Sequence, residues 1–114
     1  MLKSTLRKIR NLIIEYFDGD QITVNTNKNI MSMEVIDDSE RMVSVKIDTC
    51  EDTVSIGVSH KVIEEMVEIY FIKIDGNSIE FHPISDDIEL PNDLVDLIVD
   101  EINFPLYPNT CLER

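Results

Sequence analysis

The sequence predicts an α+β fold: an N-terminal helix, an antiparallel sheet of about five or six strands, and a C-terminal helix packed on one face of the sheet. Apolar residues recur at helical spacing near both ends of the chain, and they alternate with polar residues through the middle. Short polar turns separate the alternating runs, as in an antiparallel meander. With 114 residues the chain has the usual length of one domain, so we expect residues 1–114 to form a single domain.

Both predicted helices carry apolar residues at steps of three and four. The first is predicted from about Lys3 to Phe17, with Ser4 as a capping residue. Its apolar stripe consists of Leu2, Leu6, Ile9, Ile13 and Phe17, widened by Leu12 and Tyr16. The second is predicted from about Asn92 to Asn103, because Pro91 suits a helix start. Its buried face is expected to consist of Leu94, Leu97, Ile98 and Ile102.

The middle of the chain predicts strands with one buried face. Apolar and polar residues alternate over 22–24, 31–35, 43–47 and 54–58, and polar turn residues separate these runs. Residues 61–68 fit either a helix or a strand, and we expect a short helix there that passes into a strand over 67–74.

One hairpin is predicted with its register. A two-residue turn at Gly76 and Asn77 places apolar residues opposite each other and opposite charges on the other face. The expected pairs are Ile74 with Ile79, Lys73 with Glu80, and Ile72 with Phe81.

The charge is large, negative and unevenly distributed. The net charge is −13, yet the first ten residues hold four bases and no acid. From Asp75 onward there are ten acids and one base, Arg114. Such a charge opposes nonspecific binding to nucleic acid and to an anionic membrane surface, and it attracts basic proteins.

The sequence has no apolar run typical of a signal peptide or of a membrane span. We therefore expect a cytoplasmic location, in a microbe or in a host cell if the protein is encoded by a phage. Cys50 and Cys111 are expected to be reduced, buried thiols, although a disulfide that holds the C-terminal tail is an alternative.

The usual signatures of metal sites and catalytic sites are missing. Asp18-Gly19-Asp20 begins like a calcium loop, but Ile22 and Thr23 stand where oxygen ligands should follow. His60 and His82 lack ligand spacing, with His60 expected at the edge of the core face and His82 on the face opposite Phe81. No metal, cofactor or catalytic residue is predicted. The third hypothesis for function is a small enzyme or ligand-binding domain, which would need a pocket that joins His60 to Cys50 or Tyr70.

An acid-only helix face is the strongest candidate for a binding site. Asp93, Asp96 and Asp100 recur at three and four residues, and no Lys or Arg stands four residues away to pair with them. Three more acids precede the helix, namely Asp86, Asp87 and Glu89. A solvated face and a surface shaped for a basic partner both have this composition.

Apolar residues supply possible anchors for such a partner. Ile69 and Phe71 are expected on the free face of the sheet, as an apolar spot on an acidic surface, unless the C-terminal tail covers Phe71. The tail, residues 104–114, contains two prolines and is expected to be extended and docked. It holds Tyr107, the second candidate anchor.

These features favour a non-catalytic inhibitor that occludes a basic surface on a toxin, a nuclease or another nucleic-acid-handling protein. Immunity proteins and phage anti-defence proteins are of this physical type. The alternative is a small, acidic, homodimeric chaperone, similar to class I type III secretion chaperones in size, charge and element mix. The inhibitor could be a monomer or a homodimer.

Overall fold

The computed structural model describes residues 3–37 and 40–103, so the expected docking of the tail, with Tyr107 and Cys111, lies outside the described residues. The element order confirms the predicted α+β class and both helix ranges. The elements are α1 (Lys3–Phe17), β1 (Gln21–Asn27), β2 (Ile30–Ile36), β3 (Arg41–Asp48), β4 (Thr53–Val62), β5 (Glu65–Asp75), β6 (Ser78–Pro83) and α2 (Asn92–Asn103). No helix in this described part is long and apolar enough to cross a membrane.

The six strands form one antiparallel sheet in the order β1-β2-β3-β4-β5-β6, so each strand pairs with its neighbour in sequence. Alternate residues of β2 to β5 point to one face, where both helices cover them. The helices contribute Ile9, Ile13, Phe17, Leu94, Val95 and Ile98 to this core. The other face, which we call the free face, is rich in Ser, Glu and Lys side chains.

The prediction of a short helix within residues 61–68 is wrong. β4 and β5 continue as one long hairpin, in which Val62 pairs with Glu65 and Val58 pairs with Tyr70. A β-bulge at Ile69 shifts the register between these pairs. An isolated helix of two turns is marginal, whereas these residues extend strands that the sheet has already ordered.

The tip of this hairpin is strained and apolar. Ile63 has a φ of 59° and is 92% exposed. β-branched residues rarely adopt positive φ, where glycine is the usual occupant of a two-residue turn. Val62 and Met66 beside it are also exposed.

The β5–β6 hairpin confirms the predicted register. Gly76 and Asn77 form the turn, and Gly76 has a φ of 59°, which suits glycine. All three predicted pairs are present: Ile72 with Phe81, Lys73 with Glu80, and Ile74 with Ile79.

β1 departs from the expected burial pattern. Every one of its seven residues is exposed, although Ile22 and Val24 alternate as a half-buried strand should. β1 is an edge strand, and the residues opposite these two, Val35 and Met33, are the ones the helices bury. A pattern of alternation predicts a strand but does not show how far a helix reaches across the sheet.

Arg41 joins the end of α1 to the β2–β3 connection. Its Nε lies 3.0 Å from Oδ2 of Asp37, and its backbone amide donates to Oδ1 of the same carboxylate at 3.0 Å. Its Nη2 donates to the carbonyl oxygen of Phe17 at 3.4 Å, and the guanidinium carbon lies 5.6 Å from the centre of the Phe17 ring. One cation therefore serves a carboxylate, a helix-terminal carbonyl and an aromatic face.

We expect Arg41→Ala to lower the free energy of unfolding by about 1 kcal/mol, at the low end for a charged hydrogen bond because the side chain is 41% exposed. Arg7→Ala, at an exposed helix position, is the matched control and should change stability by less than about 0.5 kcal/mol. Urea unfolding of both variants measures the difference. Equal stabilities would show that the Arg41 contacts contribute nothing net.

Tyr70 lies at the border of the core, with its ring centre 5.9 Å from that of Phe81. Burial, reinforced by the Tyr16 phenolate and opposed by the Arg41 charge, raises the pKa of Tyr70 from 10.0 to about 12. The folded protein therefore keeps this proton at a pH where the unfolded chain has lost it. Stability from this group is complete below pH 10 and is lost as the pH rises through about 12.

We expect Tyr70→Phe to flatten the fall in unfolding free energy between pH 10 and about 12. Urea unfolding at a series of alkaline pH values measures the slope for each protein. Tyr16→Phe should flatten the slope less, since Tyr16 is more exposed, but it should flatten it somewhat, because the pKa of Tyr16 is itself raised and its phenolate helps to raise that of Tyr70. Identical slopes for Tyr70→Phe and the wild type would contradict the assignment.

Candidate functional site: the acidic surface of α2

The solvent face of α2 carries the three predicted aspartates. Asp93, Asp96 and Asp100 are all exposed, on the side of the helix away from Leu94 and Ile98, which are fully buried. These buried residues fix the helix against α1 and the sheet, so the three carboxylates are displayed from a rigid element.

The remaining predicted acids lead directly into this face. Asp86, Asp87 and Glu89 are exposed in the connection between β6 and α2. We call the six carboxylates together the acidic surface. Within residues 3–37 and 40–103, none of the six forms an ion pair, and the α1 cations do not neutralise them.

Leu97 corrects the predicted buried face of α2. It is 49% exposed, whereas Val95, which the sequence pattern did not select, is buried. The helix packs on an arc centred near Ile98, and Leu97 falls outside that arc, between Asp93 and Asp100. An exposed leucine thus stands within the acidic surface.

Tyr16 is the residue of this surface that sequence reasoning missed. Its hydroxyl donates to Oδ1 of Asp93 at 3.5 Å, and its ring packs edge-on against Phe17 with ring centres 5.0 Å apart. Partial burial raises the pKa of Tyr16, and so does the negative charge of Asp93. The sequence showed Tyr16 at the margin of the α1 stripe, but only the packing of α1 on α2 brings it to Asp93.

Phe71 lies on the free face, as predicted, and therefore on the side of the sheet opposite α2. It pairs with His82 across β5 and β6, with ring centres 6.3 Å apart and planes 24° apart, and with Gly57 across β4 and β5. Ile69 occupies the bulge. Phe71 and the acidic surface do not form one continuous surface.

A shallow, open depression of about 520 Å³ adjoins Phe71 on the free face. Gly57, which presents no side chain, lies in its lining beside the aromatic ring. Its polar lining includes Lys46, Glu34 and three serines. No buried charged or polar group faces this depression among the described residues, so it lacks the convergent polar groups typical of a small-molecule site.

Within the described residues, the thiol of Cys50 does not converge with either imidazole group. Cys50 is exposed in the β3–β4 turn, so the expectation of a buried thiol is wrong for this residue. Its side chain is exposed because the turn lies outside the packed core. His60 is exposed at the far end of β4, about 25 Å away along the strand at 3.3 Å per residue. His82 lies 3.8 Å from Glu80 at the sheet edge. In the part of the chain that the structure describes, no three His, Cys, Asp or Glu side chains cluster as metal ligands.

No protein-family model, curated protein or solved structure matches this chain.

The acidic surface should cost the fold a little stability. α2 has no basic residue in its last turn, so Asp100 opposes the helix dipole, and lysine is a better helix former than aspartate. We expect Asp96→Lys/Asp100→Lys to keep the fold and to raise the free energy of unfolding by about 0.5 kcal/mol. Thermal and urea unfolding measure this. A loss of stability above about 1 kcal/mol would mean that the carboxylates hold the fold together.

Proposed function

We propose that this protein is a non-catalytic inhibitor that occludes a basic, nucleic-acid-handling surface of a target protein, as immunity and phage anti-defence proteins do. The observation that carries the proposal is the acidic surface: six exposed carboxylates without a cationic partner in the described residues. A face that served only solubility would be as well served by mixed charges.

The mechanism is competition for cations that otherwise bind phosphate. Asp93, Asp96 and Asp100 advance along the helix axis by about 5 Å per charge at 1.5 Å per residue, the same order as the 3.4 Å per phosphate along one DNA strand. Lys and Arg side chains of a nucleic-acid groove bind carboxylates with the same charge-assisted hydrogen bonds. The long-range field of the acidic chain speeds the encounter.

Leu97 and Tyr16 supply the apolar part of the contact. Both are nearly half exposed, and Asp93 adjoins each of them. A protein interface gains most of its affinity from a few apolar or aromatic residues within a polar rim, and charge mainly adds specificity and rate. This arrangement supports Leu97, rather than Phe71 on the far side of the sheet, as the apolar contact beside the acids.

The rigidity of α2 supports the same function. Leu94, Val95 and Ile98 are buried almost completely, so the helix is already ordered before a partner arrives. Binding then costs little ordering of the backbone, which favours tight inhibition by a small surface.

The decisive experiment uses charge-reversed variants with a matched control. Wild type, Asp96→Lys/Asp100→Lys and Glu34→Lys/Glu51→Lys are immobilised and exposed to the heparin-binding fraction of a lysate from the native host. The control pair is exposed away from α2, on β2 and in the β3–β4 turn, and changes the net charge equally. We expect wild type and the control to retain the same basic protein, released by salt or by duplex DNA, and the α2 variant to lose it.

The purified target then gives the functional readout. Wild type should displace a labelled oligonucleotide from the target in a binding titration, and Leu97→Ala should weaken this competition by about tenfold or more. If the α2 variant binds as the wild type does, or if the target binds both the protein and the oligonucleotide at once, the acidic surface is only a solvated face.

The second candidate is a small acidic chaperone, and one observation favours it: the exposed apolar tip formed by Val62, Ile63 and Met66, which could hold an unfolded client. An Ile63→Asn/Met66→Ser variant separates the two functions. Loss of client binding in this variant, together with the absence of any competition against nucleic acid by the wild type, would assign the function to the tip and not to α2.

A further inference from the structure

The edge strand β1 lacks the features that protect edge strands from pairing. Its sequence, Gln-Ile-Thr-Val-Asn-Thr-Asn, contains no charged residue, proline or glycine, and it is the only strand of the sheet without a charge. Natural edge strands are usually short, charged or interrupted. The other edge, β6, follows that rule with Glu80, His82 and Pro83.

The open side of β1 presents unpaired backbone groups. A two-residue turn at Lys28 and Asn29 makes Asn27 and Ile30 a hydrogen-bonded pair, so bonded residues alternate from there along β1. The amide and carbonyl groups of Ile22, Val24 and Thr26 consequently point away from β2. Ile22 and Val24 are also 43% and 44% exposed on the helix-bearing face.

We propose that β1 is the interface through which two copies of this chain pair, antiparallel and about a two-fold axis at Val24. In this register Val24 faces the partner's Val24, and Ile22 faces the partner's Thr26. All three amides and all three carbonyls on the open side of each strand then form hydrogen bonds, and the two sheets become one continuous sheet.

Charge supports a second copy as the occupant. Most of the surface of a chain with net charge −13 repels its own copy, whereas β1 is neutral along its whole length. Asp20 and Lys28 flank the strand at equal distances from Val24. The two-fold axis therefore brings Asp20 of each copy beside the partner's Lys28, so opposite charges meet at both ends of the pairing.

The register also buries the two half-exposed apolar residues. On the helix-bearing face, Val24 meets the partner's Val24, and Ile22 lies diagonally beside that pair and faces the partner's Thr26, next to the buried Val35 and Met33. The contact is small by the standard of permanent dimers, so we expect an equilibrium that depends on protein concentration. An isologous strand pairing closes on itself and stops at two chains.

Sedimentation velocity of the purified chain over a range of concentrations tests the proposal without the inhibitor's target, so its failure would leave the acidic surface untouched. We expect the mass to rise from that of one chain, 13.2 kDa, to twice that value and no further. Val24→Lys places two ammonium groups on the axis, and Val24→Pro removes an outward amide that the fold does not use. Both variants should remain monomers that melt like the wild type.

Ile79→Lys on β6 is the matched control, because Ile79 is also an edge residue on the helix-bearing face and is 40% exposed. It should dimerise as the wild type does. Asp20→Lys and Lys28→Asp should each weaken the dimer, and the two together should restore it. The proposal would be overturned if the wild type stayed a monomer at every concentration or grew beyond two chains. It would also be overturned if Ile79→Lys lost the dimer, or if the combined Asp20→Lys/Lys28→Asp variant did not recover it.

Discussion

The sheet's alternation of apolar and polar residues is the constraint on which the rest of the molecule depends. Because successive side chains point to opposite faces, the valines, isoleucines and methionines of β2 to β5 must all be covered on one side. Two helices provide that cover, and they do so with their own apolar arcs. Once both helices lie on the same face, the outer side of α2 becomes a solvent-facing surface held in place by a packed helix.

The uneven charge follows from this arrangement. Acids concentrate on the outer side of α2 and on the connection before it, whereas bases concentrate at the start of α1. The two groups form no ion pairs with each other in the described residues. The negative electrostatic potential near α2 can therefore act on an external partner. The hydrogen bond between Tyr16 and Asp93 holds one of the carboxylates in place.

Local patterns were enough to predict the class, both helices and the register of the β5–β6 hairpin, since each depends on neighbours in sequence. The short helix predicted within residues 61–68 is wrong because the four apolar residues among these eight are compatible with both periods, and only the partner strand decides between them. Leu97 and Tyr16 show which part of the candidate site could not be predicted from the sequence. Their exposure depends on the angle at which α2 crosses α1, a tertiary quantity that no spacing encodes.

The β4–β5 hairpin extends beyond its neighbours: β3 follows it only to His60, and β6 only to Tyr70. Its last residues therefore rest on each other alone, and their opening breaks no contact with the core. A glycine or asparagine at position 63 would relieve the backbone conformation that isoleucine tolerates badly. The tip can therefore open locally, or accept substitutions, while the rest of the sheet keeps its structure. The packed core and the hairpin tip are separate in this respect.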